Sequence, residues 1–202
     1  MYHSGVNEHS PESAALGRVA ILCGDIASSS RIVLEAGDLA FVGALGEFFQ
    51  RLHVIHSLHH GLLVKSLGDG FLMAFSEIED CFEFGVALLR SLAVDPIQVN
   101  SDSPVTQTKL TLKLRLSMHV GEVSVVDTPY GRDMFGISVN LAARMTALAR
   151  PGEMVLSETA EVSLTPLQRS LIVPGGEISE IKGISGRFRF SRVDASEVSA
   201  SD

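Results

Sequence analysis

Two apolar runs meeting at a Gly-Asp-Gly turn limit what this chain can fold into more than any other feature. Leu62-Leu63-Val64 and Phe71-Leu72-Met73-Ala74-Phe75 flank Gly68-Asp69-Gly70. Short apolar segments around such a turn are a strong hairpin signal, because glycine supplies the positive φ that tight turns require. A hairpin alone is marginal in water, so its faces need further strands and helices.

The rest of the chain offers them in order. Val19-Ala20-Ile21-Leu22-Cys23, ending at Gly24-Asp25, reads as a buried strand. Residues 31–60 carry one long helical pattern, with Leu34, Leu45, Phe48, Phe49, Leu52, Ile55 and Leu58 on its apolar side. Gly37, Gly43 and Gly46 weaken that pattern, and Gly61 closes it. Residues 78–94 read as a second helix, and 100–107, polar with Pro104, as a loop. Leu112, Leu114, Leu116, Met118 and Val120 alternate along a strand. Residues 121–132 continue as a strand with an excursion at Pro129-Tyr130-Gly131. A third helix over 139–149 stops at Pro151-Gly152, and 154–156 form a strand. Residues 157–167 read as a short helix, Gly175-Gly176 as a turn and 188–193 as a last strand. Strand, helix, hairpin, helix, strand is the order of an α+β, ferredoxin-like βαββαβ core with additional C-terminal elements. Residues 1–17 are expected to be a flexible leader, 18–194 one domain and 195–202 a tail.

Composition narrows the partners. With 24 acidic and 16 basic residues the net charge is -8, so nothing points to duplex nucleic acid or an anionic membrane as partner. No apolar run approaches the ~20 residues of a membrane span, and the N-terminus lacks a secretory pattern, so a cytoplasmic protein is expected. Cys23 and Cys81 each sit in an apolar run and read as buried free thiols.

Several polar residues stand where the pattern is otherwise apolar. Asp25 and Asp69 each end a buried run beside glycine. Two carboxylates converging at a sheet edge would bind Mg²⁺ or Mn²⁺, while either alone equally well shapes a turn. Asn140 and Arg144 lie four apart on a small, apolar helix. They reach a cleft together or form a solvated pair. Lys65 follows three apolar residues, so its stem is half buried. Asp133 lies in a loop entering the third helix, where an acid is favourable anyway. His53, His56 and His60 fall on one helical stripe, but no Cys or carboxylate in the pattern completes a zinc set, so a solvated face is expected.

Taken together, the segments VAILCGDIASSS, LLVKSLGDGFLMAF, LRLSMHVGEV, RDMFGISVNLAARM and PGEMVLSET resemble the catalytic domains of class III adenylate and guanylate cyclases, in order and spacing. The resemblance covers residues 18–193. It implies that Asp25 and Asp69, with the Ile26 carbonyl, hold two Mg²⁺ or Mn²⁺ ions. Lys65 and Asp133 would read the purine, Asn140 and Arg144 would act on the transition state, and Lys182 would approach the phosphates. Ser30 keeps a hydroxyl in the triphosphate loop, although Ala27-Ser28-Ser29-Ser30 lacks the family's glycine. Lysine and aspartate complement adenine's N1 acceptor and N6 donor, so ATP is the expected substrate and 3′,5′-cyclic AMP with pyrophosphate the products. The family's sites lie between two domains arranged head to tail. A chain carrying both residue sets is therefore expected to form a homodimer. No regulatory domain fits into residues 1–17, so a bare catalytic unit or a piece of a longer protein is expected, its activator elsewhere.

Three rivals remain: a guanylate or dual-substrate cyclase, a catalytically silent homologue that binds nucleotide or a partner, and a diguanylate cyclase relative. The last lacks its Gly-Gly-Asp/Glu-Glu-Phe signature in this sequence.

Overall fold

The computed structural model describes residues 13–100, 109–129 and 131–194. The strands are β1 (Ser13–Ile26), β2 (Gly61–Leu67), β3 (Gly70–Phe75), β4 (Gln98–Asn100), β5 (Lys109–Thr111), β6 (Leu114–Thr128), β7 (Gly131–Phe135), β8 (Glu153–Ser157), β9 (Val173–Ile181) and β10 (Ile184–Asp194). The helices are α1 (Ser29–Ala36), α2 (Asp38–His56), α3 (Ile78–Val94), α4 (Ile137–Met145), α5 (Glu158–Glu161) and α6 (Pro166–Arg169). A 3-10 turn, Thr146–Leu148, extends α4.

The main sheet runs β2-β3-β1-β6-β8-β10-β9, with β7 also on β6. Its first four strands, each antiparallel to its neighbour, have the order of the ferredoxin-like core expected from the sequence. Alternation along β1 and β3 gives the sheet two apolar faces. Ala20, Leu22, Ile26, Phe71, Met73 and Phe75 pack on one side with Ile32 of α1, Phe48 and Leu52 of α2, and Phe82, Phe84 and Leu88 of α3. Ile21, Cys23, Leu72 and Ala74 pack on the other with Val139 and Ala142 of α4. Three helices cover the first face; at its β1–β3 end the second carries only α4, and this asymmetry leaves room for a site.

Several elements differ from expectation. The single helix over 31–60 is two, broken at Gly37 (φ 92°, ψ 158°). That conformation is open to glycine and unfavourable for L-residues. The leader assigned to 1–17 overlaps the structured chain: β1 starts at Ser13, pairs with β6 at Val126 and passes a bulge near Gly17. Residues 157–167 hold α5 and a turn leading into α6, whose Thr165–Gln168 capping box marks its start. Gly175-Gly176 is not a turn but part of β9, where a Cβ on Gly175 would meet the Phe190 carbonyl oxygen at 2.5 Å. The loop expected at 100–107 falls outside the described residues except Asn100, which ends β4. The two cysteines are free and buried, as read.

Candidate active site

The acidic end of the site is set by strand register. Asp25 stands opposite Gly70 of β3 and Arg115 of β6. The hairpin turn holding Asp69 therefore lies level with the end of β1. Gly24 makes this possible: a Cβ there would sit 2.6 Å from both Phe71 and Leu116 side-chain carbons. The β2–β3 hairpin closes at the Gly68 turn, whose φ is 66°. Asp69 is half-buried and makes no hydrogen bond among the described residues, so its carboxylate is not engaged in shaping the turn. Ile26 is the last residue of β1. Ser30, in the first turn of α1, lines an open groove with Gly68 and Asp69.

Asp25 is held by a residue the sequence reading missed. Arg115 donates from Nε to Asp25 Oδ1 at 2.8 Å and from its terminal nitrogen to Oδ2 at 2.7 Å. Both side chains are about one-third exposed, 33% for Asp25 and 31% for Arg115. Bidentate pairs of this kind are directional and charge-assisted. A signal was present, since Arg115 alternates with Leu114 and Leu116 and so must face the α4 side. The cross-strand register that sets it against Asp25 is not local information.

The second cluster depends on a bulge. Leu63 pairs with Met73, but Lys65 pairs with Leu72, so β2 gains one residue between them. The extra residue turns Lys65 away from the Phe71 side, which packs under α2, to the Leu72 side, which packs under α4. There its Nζ lies 2.8 Å from Asp133 Oδ1 and 5.9 Å from the Phe135 ring centroid. Asp133 belongs to β7, not to a loop entering the helix as expected. The Lys65 hydrogen bond holds its carboxyl below the usual range; burial opposes this, while the Met134 N–H and the lysine charge add to it.

The third cluster is on α4. Asn140 and Arg144 share a face; Ser138, Val139, Ala142 and Met145 are buried. Asn140 is exposed, and its side chain has no hydrogen-bond partner among the described residues. Arg144 donates to the backbone carbonyl of Lys182 in the β9–β10 turn, so these two expected residues are neighbours. The buried Ser117 hydroxyl donates to the Ala142 carbonyl at 2.7 Å and fixes the end of the helix to β6.

Thus Asp25, Ile26, Asp69 and Ser30 gather at one end, Lys65 pairs with Asp133, and Arg144 adjoins Lys182. No hydrogen bond or ion pair joins these three groups among the described residues. The donor set at the acidic end, two carboxylates and a carbonyl, suits a hard divalent cation. Arg115 occupies one acceptor position on each Asp25 oxygen and so competes with a cation for that carboxylate.

The fold is that of a nucleotide cyclase catalytic domain. Residues 12–191 match the family model described as "Adenylate and Guanylate cyclase catalytic domain", and the chain belongs to that family. It is 29% identical over 147 residues to "Putative adenylate cyclase 3" of Rhizobium meliloti (strain 1021), covering 73% of this chain and 23% of that protein. It is 25% identical over 183 residues to the receptor-type guanylate cyclase gcy-6 of Caenorhabditis elegans, covering 88% of this chain and 17% of that one. The chain thus spans about a quarter or less of these relatives. Among solved structures, the adenylyl cyclase CyaB from P. aeruginosa superposes with a TM-score of 0.73 at 19% identity, over 90% of this chain and 95% of that one. A rhodopsin-guanylyl cyclase catalytic core with converted specificity, in complex with ATPalphaS, gives a TM-score of 0.76 at 17% identity, over 90% and 98%. No helix among the described residues is long and apolar enough to cross a membrane.

Proposed function

We propose that this chain is an adenylate cyclase, converting ATP to 3′,5′-cyclic AMP and pyrophosphate in a head-to-tail homodimer. The observation that carries the reading is the Lys65–Asp133 pair, 2.8 Å apart. An ammonium and a carboxylate held together present one donor and one acceptor, which adenine's N1 and N6 amino group complement. Guanine would set its O6 acceptor and N1–H donor there in the opposite sense. One buried polar group left unmatched costs about 1–3 kcal/mol, or roughly 10- to 100-fold in discrimination.

Asp25, Asp69 and the Ile26 carbonyl would hold Mg²⁺ or Mn²⁺. Bound ions there supply charge stabilisation for the triphosphate and acidify the ribose 3′-hydroxyl. The chain's own residues do the rest. Were Asp25 to hold metal, Arg115 would be released from it in part, and its guanidinium would be available to phosphate oxygens. The 3′-oxygen attacks the α-phosphorus, its proton passes to solvent, and the bond to the bridging oxygen breaks to release pyrophosphate. Arg144 and Asn140 stabilise charge on the α-phosphoryl group, and Lys182 and Ser30 bind the departing phosphates. The separation of the acidic end from the α4 cluster supports a site completed by a second copy.

The test is purified protein with ATP or GTP and Mn²⁺, with products separated by chromatography. Cyclic AMP that disappears in Asp69→Ala is the expected outcome. Cyclic GMP instead would reject the purine assignment while keeping the family. No product from folded, dimeric protein would favour a nucleotide-binding homologue without turnover.

A further inference from the structure

We propose that the chain carries a second metal site, remote from the first, in which His59, Asp80 and Glu83 bind a divalent transition ion such as Zn²⁺. The sequence pattern showed histidines at the end of α2 with no carboxylate beside them. The fold supplies the carboxylates from α3. Asp80 and Glu83 lie three apart on that helix and so share a face. Ligand atoms of His59, Asp80 and Glu83 all lie within 4.8 Å of one another.

The turn that carries His59 is fixed independently of any ion. His56 Nε2 is 2.6 Å from the Gly61 carbonyl oxygen, closing the turn between α2 and β2. The His59 ring stands edge-on to the buried Phe84 ring, 5.7 Å between centroids and 82° between planes. Its nitrogens make no hydrogen bond among the described residues, although two carboxylates are close by. A half-buried imidazole that faces two carboxylates without bonding either leaves a gap. Ligand atoms around a four-coordinate ion with bonds of about 2.0–2.1 Å lie roughly 3.3 Å apart, so small side-chain rotations close it.

The outer partners are also in place. Gln168, buried and set by the α6 capping box, donates to Glu83 Oε1 at 3.3 Å. His60 Nδ1 lies 3.0 Å from Asp80 Oδ2. Such partners orient metal ligands and raise affinity. An imidazole nitrogen with two carboxylates suits zinc and its neighbours, whereas Mg²⁺ prefers oxygen alone. The oxygen-only set at Asp25 and Asp69 thus takes a different class of ion. Bound metal would tie the start of β2, the strand that leads to Lys65, to α3.

The test uses the full chain with Asp25→Asn and Asp69→Asn, which disables the catalytic metal site. Zn²⁺ is titrated against a chromogenic chelator, and melting is followed with and without the ion. One Zn²⁺ per chain and a melting point raised by several degrees are expected, with no shift from Mg²⁺. Adding His59→Gln or Glu83→Gln should weaken binding at least about 100-fold, since even outer partners are worth 10- to 100-fold. Circular dichroism of each variant establishes that it folds, and Asp80→Asn provides a third, conservative replacement. Unchanged Zn²⁺ uptake in these variants, or no uptake by the starting protein, would overturn the proposal.

Discussion

At the scale of single residues, two buried or half-buried groups make distinct predictions. His119 on β6 is 8% exposed, and its Nδ1 shares a hydrogen bond with the Ser157 hydroxyl at 2.9 Å. Burial, with Arg18 nearby, pushes its pKa down to about 4. The folded value lies below the unfolded one, near 6.5. Between those values the unfolded chain binds the additional proton, so stability falls as pH drops from about 6.5 to about 4. The loss is on the order of 3 kcal/mol. His119→Gln should flatten that slope in urea midpoints measured across the window. Arg115 makes the second prediction. Arg115→Ala releases Asp25, so Mn²⁺ affinity without nucleotide should rise a few-fold, on the order of 1 kcal/mol for a pair exposed this far. Turnover on ATP should nevertheless fall at least about tenfold if, as proposed, the Arg115 guanidinium meets the phosphates. Calorimetry and the product assay read these opposite shifts. Asp25, Asp69, Asn140 and Arg144 drew notice in the sequence as polar residues in apolar runs, though only the family resemblance gave them roles. Arg115 was not, since its meaning comes from a partner ninety positions away.

At the scale of elements, the hairpin and α3 were legible because each is defined by local chemistry: a glycine turn, and an apolar stripe of helical period. The hidden features are those set by the neighbouring strand. β7 and β9 exist because β6 and β10 offer edges to pair with, and their own sequences give little warning. The break between α1 and α2 is carried by one glycine in a pattern that otherwise continues. The turn from β1 into α1 holds the one non-glycine at positive φ among the described residues, Ser28 at 58°. A left-handed L-residue costs about 1–2 kcal/mol, and glycine returns part of that through its greater unfolded-state freedom. Ser28→Gly is therefore expected to stabilise the protein by about 0.5 kcal/mol and raise the melting point by about 1–2 °C, read by calorimetry. Activity should not decrease, because the turn keeps the Ala27 N–H bond to the Lys113 carbonyl at 2.8 Å.

At the scale of the whole molecule, the uneven covering of the sheet has a consequence for assembly. Asp25 and Lys65 face the side that carries α4 alone, in separate groups, while Asp69 lies at the hairpin turn beside α1. If two chains complete each other's sites, Asp25→Ala and Arg144→Ala are each inactive alone for different reasons. Mixing them should restore about one working site per heterodimer. A mixture with heterodimers demonstrated by mass photometry but without cyclic AMP would sink the shared-site reading. The ferredoxin-like order was legible in the sequence, because alternating and helical periods come in a fixed succession. The sidedness of the sheet was not, since it depends on which helices return to which face.

The extra residue in β2 makes this strand sensitive to parity. Side chains alternate with a period of two, so the identity of the residue beside Asp133 depends on whether the count from Gly61 to Leu67 is odd or even. Removing Val64 would leave every chemical group of the candidate site in the chain, yet would send the Lys65 ammonium toward the Phe71 core and away from Asp133. Variation by substitution can tune this strand a position at a time. Variation by single-residue insertion or deletion rewrites it wholesale, so lineages of this fold should keep the length of β2 more strictly than its letters.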